Sequence, residues 1–303
     1  MEFPDIDLLA QRVLRQESVA LTAAMVDAVN AFKEPSTDSP RQRDKEWVAG
    51  RAHEELLEGA FNIGAEAVAT LLMSADDHRQ AVAELLESDR MIPLPAMTCA
   101  RAVHEAVVKI CWLTEPGISS EERLARAAAH FLGMIQGGIP VLAQLPKGVL
   151  ESQEHIKRVA QARQGGFELF EKIGVDVTAN KNTGQALNVR YGSAVANVVP
   201  KITDLSAKYT PQMHFIWAMN SGAAHSNPWL INGMSGAWST VVTSILAPLL
   251  DMSDALVDSL MGYVGLSTEE LHRRTHQRRI SLMRAIGNDG ELVDHTTYRR
   301  RDT

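Results

Sequence analysis

The segment Arg101-Ala-Val-His-Glu105-Ala-Val-Val-Lys-Ile-Cys-Trp112 constrains the fold more than any other stretch of this chain. On a helix turning about 100° per residue, Arg101, Glu105 and Trp112 share one stripe. Val103, Val107 and Ile110 fall on the opposite side. A helix that is apolar on both sides has to be enclosed by other elements, so the segment predicts a core helix in a multi-helix body. Arg101 and Glu105 are then expected as a buried ion pair, because buried charges are costly and persist when paired or used.

The remainder of the chain agrees with such a body. Aromatic residues make up only 5% of it, β-branched runs are few, and Ala and Leu are abundant, which favours helix over sheet. Residues 5–33 read as one long helix, followed by a turn-rich loop over 34–40. A second helix is predicted from about Asp44 to Met73, and Ser74-Ala-Asp-Asp77 as the cap of a third that ends near Ser88. Pro93 and Pro95 open the helix of Arg101, and Pro116-Gly117 closes it. Ser119-Ser-Glu-Glu122 opens the next, and Gly137-Gly-Ile-Pro140 is expected to break that one. A further helix covers about 151–173. Residues 174–190 are the least helical and predict a short irregular or β-hairpin insertion, with a strand over 175–178 and a turn at Asn180-Lys-Asn-Thr-Gly184. Short helices over 192–207, one from Thr210 to about His225, and three over 233–250, 252–264 and 267–286 complete the pattern. The expected fold is all-α: a multi-helix bundle forming a single helical domain over 1–286. Within it, 1–90 is a candidate for a separately packed N-terminal part, and 287–303 is a polar tail.

Several function classes are disfavoured. A net charge of −7 argues against a general nucleic-acid coat, though not against a local basic site. Cys99 and Cys111 lie in one predicted helix, which supports neither a disulfide framework nor a zinc pattern and suggests a reducing cytoplasm. The N-terminus lacks the basic and apolar regions of a signal peptide. Trp229 to Leu250 carries no charge and is long enough to span a bilayer. Its many polar residues and missing basic flank favour a buried helix, so no membrane partner is expected. No dinucleotide fingerprint, phosphate loop, nucleophile elbow or His-Glu-x-x-His motif occurs. Only one Glu-x-x-His unit, Glu269 to His272, is present, where a di-iron bundle needs two. His272 and His276 are spaced to share a helix face, yet Arg273, Arg274, Arg278 and Arg279 around them oppose a cation, so neither a metal nor another cofactor is expected. From Leu271 to Arg301 eight arginines face three acids, a polarity suited to phosphate, RNA, an acidic partner or a second subunit of a homo-oligomer.

The second segment of interest is His214-Phe-Ile-Trp-Ala-Met-Asn-Ser-Gly-Ala-Ala-His225. His214, Ala218, Ser221 and His225 fall on one narrow helical stripe with Trp217 beside it. Two imidazoles and a hydroxyl so placed can bind a phosphate or another anion, or act as general acid and base. The competing reading is that they only satisfy hydrogen bonds between packed helices, as Arg101 and Glu105 would if they were a purely structural pair.

Taken together, Arg101-x3-Glu105 with Trp112 on one helix and Ser221-x3-His225 on a later one resemble a group of bacterial all-helical proteins similar to the HEPN (higher eukaryote and prokaryote nucleotide-binding) superfamily. The resemblance covers roughly residues 97–228. It implies RNA binding or RNA cleavage, in a toxin or phage-defence setting. Ribonucleases of that superfamily use an Arg-x4–6-His motif, in which the arginine steadies phosphate and the histidine assists attack by a ribose hydroxyl. The matching segment here reads Asn220-x4-His225 and lacks the arginine, which leaves Arg101 to supply the charge from another helix. Arg123-x6-His130 also fits the spacing. The resemblance thus makes His225, Arg101, Glu105 and Ser221 the candidate catalytic residues, with Glu105 orienting Arg101 or His225. His214, Trp112, Trp217 and Asn220 are the candidate substrate-binding residues, and RNA or another phosphate-containing ligand is the candidate partner. Two alternatives stay open: a small-molecule enzyme using the same pocket with Trp112 and Trp217 as apolar walls, and a non-catalytic scaffold.

Overall fold

The computed structural model describes residues 5–87, 93–142, 150–228 and 238–286. Among them are α1 (Asp5–Ala31), α2 (Pro40–Val48), α3 (Glu54–Glu87), α4 (Pro93–Thr114), α5 (Ser120–Leu142) and α6 (Leu150–Lys172). A small sheet follows, of β1 (Asp176–Ala179), β2 (Ala186–Tyr191) and β3 (Ala194–Asn197). Then come α7 (Ile202–Tyr209), a 3-10 turn over Pro211–Met213, α8 (His214–Ala224), α9 (Trp238–Val264) and α10 (Glu269–Ile286). The expectation of an all-α bundle with a short hairpin insertion is met.

The helix of Arg101 is central, as its two-sided apolar pattern requires. α4 packs against α3, α5, α7, α8 and α9, and buries Val103, Val107, Val108, Ile110 and Cys111 to 4% exposure or less. Each such aliphatic side chain removed from water contributes on the order of 1.5–3 kcal/mol before the entropy of ordering is counted. α1 lies across α3, α9 and α10, and one continuous cluster of buried residues runs from Val13 to Val264. The charge pair Arg123–Asp44, at 2.8 Å, ties α2 to α5, and Tyr263 Oη donates to the same Asp44 at 2.9 Å from α9.

The sheet is antiparallel in the order β1-β2-β3 and lies on α5. Val189 and Ala196 point inward, buried to 5% exposure or less. The hairpin turn forms where expected, with the Asn180 side-chain oxygen accepting from the Asn182 N–H at 2.9 Å and Gly184 taking φ +68°. Gly133 on α5 admits the end of β3, since a Cβ there would lie 2.3 Å from the Val198 carbonyl oxygen.

Several boundaries differ from the sequence reading. The break in the N-terminal region falls at Gly50–His53, where Gly50 (φ +74°) and His53 (φ +63°) turn the chain, and not at Ser74. α3 runs through Ser74–Asp77 because its apolar period continues over Leu72, Ala75 and Val82. Asp76 does not cap a helix; it accepts from Thr22 on α1 at 3.0 Å and from Arg79. α5 continues through Gly137 and Gly138 to Leu142, and residues 194–197 form a strand in place of helix. The helices expected over 233–250 and 252–264 are one from Trp238 onward, with Pro248 inside it. Of the expected charge-free span, 229–237 lies outside the described residues, and Ile245, Leu246, Leu249 and Leu250 are core. Among the described helices, α3 is long and apolar enough by composition to cross a bilayer. The tail expected over 287–303 also lies outside the described residues.

Candidate functional site

α4 and α8 run against each other in opposite directions, so that Arg101 meets the end of α8 and Glu105 its middle. Arg101 Nε donates to Glu105 Oε1 at 2.8 Å, the i,i+4 contact that the spacing predicts. The same Glu105 oxygen accepts from Trp217 Nε1 at 3.3 Å. The guanidinium carbon of Arg101 stands 5.5 Å from the Trp217 ring centroid. Arg101 Nη1 is 3.2 Å from His225 Nε2. The two helices that carried the sequence argument therefore adjoin, and four of its candidate residues meet.

The pair is not buried as the apolar pattern of α4 suggested. Arg101 and Glu105 are 21% and 28% exposed, and His225 is on the surface. The short α8 covers this side of α4 and stops at Ala224, which leaves the Arg101 stripe at a lip. α8 ends in a Schellman arrangement: Ser226 takes φ +52°, its N–H bonds the Ala223 carbonyl at 3.1 Å, and the Asn227 N–H bonds that of Gly222 at 2.9 Å. These bonds satisfy the Ala223 and Gly222 carbonyls; the negative end of the helix still faces this side, so an anion here depends on the charge of Arg101. The same bonds also set His225 at the capping position, with its ring outside the helix.

The chemistry of the contact follows from its donors. A guanidinium only donates, so in this contact Nε2 of His225 is the acceptor. An imidazole at the surface can act as a general base through Nε2 once an incoming ligand draws Arg101 away from that lone pair. Arg101 makes these two hydrogen bonds with its five N–H groups, so donors are left over for an incoming ligand oxygen among the described residues.

Other predicted residues are elsewhere. Trp112 shares the angular stripe of Arg101 but lies eleven residues along α4, about 16 Å away at 1.5 Å per residue. It is 7% exposed, beneath the Arg126 guanidinium, and walls no pocket with Trp217. His214 is displaced by the same distance along α8 and its Nδ1 is buried without a hydrogen-bond partner among the described residues. Asn220 is 1% exposed, and neither end of its amide has a partner among the described residues. Ser221 is half-buried, and its backbone carbonyl, not its hydroxyl, accepts the His225 N–H, at 3.1 Å. Arg123 and His130 form no site, because Arg123 is 4% exposed and spends its donors on Asp44 and the carbonyls of Glu115 and Ile118.

Three polar groupings were missed. His104 is fully buried on α4 and bonds Thr210 Oγ1 at 2.9 Å and Ser206 Oγ at 3.1 Å. Burial drives its pKa down to about 4, with Glu105 opposing and His214 reinforcing the shift. A lone histidine in an apolar helix carries no spacing signal, so only its partners identify it. At the other end of α4, Glu115 accepts from Arg126, Lys208 and Tyr209 at 2.8, 2.8 and 2.7 Å. Burial alone would raise the Glu115 pKa, but these bonds hold it at about 2. Beside Glu115 opens a groove of about 710 Å³, lined also by Cys111, Tyr209, Asp258, Ser259 and His272. His272, expected on a solvated basic face, sits between Asp254 and Asp258 of α9, which raise its pKa to about 9 against the effect of burial. The helical spacing of Asp254 and Asp258 was the available signal. Among the described residues no group of three His, Cys, Asp or Glu side chains is placed to hold a metal ion.

Comparison with protein-family models, curated proteins and solved structures returned no match.

Proposed function

We propose that the α4–α8 site binds a phosphodiester of RNA and promotes its cleavage, in the manner of a HEPN-like protein. The observation that carries this reading is the contact of Arg101 Nη1 with His225 Nε2 at 3.2 Å, on the surface, with Glu105 holding the guanidinium. Arg101 supplies from another helix the positive charge that the Asn220-x4-His225 segment lacks. Its unspent N–H groups neutralise the phosphate oxygens. As Arg101 turns from His225 to the phosphate, the freed Nε2 lone pair of His225 takes the proton of the neighbouring ribose hydroxyl, whose oxygen attacks phosphorus. The bond to the leaving oxygen breaks, and that oxygen receives the proton back from His225. Cyclic phosphate and hydroxyl ends result.

The test is cleavage of a labelled single-stranded RNA by the purified chain. Both His225→Ala and Arg101→Ala are expected to abolish cleavage while keeping the native helical spectrum. Undiminished cleavage in either variant contradicts the assignment.

A second reading, a small-molecule-binding helical protein, draws on the groove beside Glu115, whose size suits such a ligand. Release of a bound small molecule on denaturation, with no affinity for RNA, would favour it.

A further inference from the structure

We infer that His104 is the positioning residue that fixes α8 against α4 and so holds Arg101 and His225 in contact. The inference rests on the RNA reading only for what that pair does. How the pair is held follows from the path of the chain.

His104 lies on α4 between Arg101 and Glu105 but on the buried side, with no exposed surface. Its Nε2 meets two hydroxyls from one element, Ser206 and Thr210 of the α7 end, and these lie 3.3 Å from each other. Thr210 Oγ1 also donates to the Ser206 carbonyl at 3.2 Å, so its lone pairs are available to His104. The imidazole proton then belongs on Nε2, because Nδ1 has no partner among the described residues and an orphaned N–H is costlier than an orphaned lone pair. His104 thus pins the end of α7, through Ser206 and Thr210, to α4.

Nothing flexible separates that pin from the site. The Thr210 carbonyl accepts the Met213 N–H at 2.9 Å, closing the 3-10 turn that runs directly into His214 at the start of α8. α8 then carries Trp217 to Glu105 and His225 to Arg101 as one rigid element. A slip of α8 by one residue moves it by about 1.5 Å, which is enough to break a hydrogen bond. A misplacement of that size costs up to roughly a hundredfold in function when it separates groups that must act together.

The experiment uses the full chain with His104→Leu, His104→Gln, Thr210→Val and Trp217→Phe. Two quantities are read. One is the indole N–H resonance of Trp217, assigned by its loss in Trp217→Phe, which reports the contact with Glu105 and Arg101 without any ligand. The other is affinity for a fluorescein-labelled oligouridylate, by anisotropy. His104→Leu and Thr210→Val are expected to shift the Trp217 resonance and to weaken the probe by about tenfold or more. His104→Gln, whose amide can still reach the hydroxyls, is expected to restore both. Should His104→Leu not fold, Thr210→Val removes one oxygen from the same contact and reads the same two quantities. A wild-type Trp217 resonance in folded Thr210→Val overturns the inference. A wild-type chain with no affinity for the oligouridylate overturns the RNA reading instead, and the indole resonance still decides the role of His104.

Discussion

The two ends of α4 both bring arginine and carboxylate together, and they do so to opposite effect. At the Thr114 end, Arg126 is 7% exposed and its donors go to the Trp112 carbonyl, Glu115, Glu122 and Tyr209. Arg123 beside it is 4% exposed and equally committed to Asp44 and two carbonyls. Nearer the Pro93 end, Arg101 is 21% exposed, with one carboxylate and one imidazole as partners. A guanidinium buried to 7% exposure or less among protein acceptors is a clamp, since burial keeps it from a ligand. One that is oriented by a carboxylate, open to solvent and in reach of a histidine is equipped for recognition.

The comparison breaks first at the clamp. Asp44→Ala leaves Arg123 buried without its charge partner and is expected to cost about 3–5 kcal/mol, read from urea denaturation. A loss below about 1 kcal/mol would mean that the clamp is not structural.

A smaller effect comes from acid, through His104, which belongs with the buried set. Unfolded, the imidazole titrates near 6.5; folded, burial brings it down to about 4, with Glu105 opposing that shift and His214 adding to it. Between those values the unfolded chain binds more protons, so stability is fully present above 6.5, declines as pH falls towards 4, and then levels off. The expected loss is roughly 3 kcal/mol, a tenfold difference in proton affinity between the folded and unfolded chain being worth about 1.4 kcal/mol. His104→Gln should flatten part of this decline, the rest being due to His130, which burial also lowers to about 4. Identical pH profiles for the variant and the wild type would show that His104 is not responsible.

What the sequence revealed was what helical period encodes. The stripes of Arg101–Glu105 and Trp217–His225 were legible because each is local to one helix, and their meeting was a matter of packing that no spacing states. Trp112 was misplaced because an angular stripe ignores distance along the axis. Asp44, Arg123 and Tyr263 lie on three helices far apart in the chain, so their union left no local trace. The turn at His53 was invisible because a histidine with φ +63° has no compositional signature, whereas the Asn180–Gly184 turn was read from residues suited to such backbone. The degree of burial of Arg101 was misjudged because the apolar pattern of α4 shows that it is enclosed but not how far each neighbouring helix covers it, and α8 ends level with Arg101.

The difference between the two ends is tested most directly by comparing Arg101→Ala with Arg126→Ala in one pair of assays, RNA binding and urea denaturation. Arg101→Ala is expected to change stability by less than about 1 kcal/mol, as befits a half-exposed pair, and to reduce RNA affinity by about tenfold or more. Arg126→Ala is expected to lose several kcal/mol of stability, with RNA affinity unchanged wherever the protein remains folded. Equal RNA affinity in wild type and Arg101→Ala, or a stability loss in Arg101→Ala as large as that of Arg126→Ala, would contradict the account.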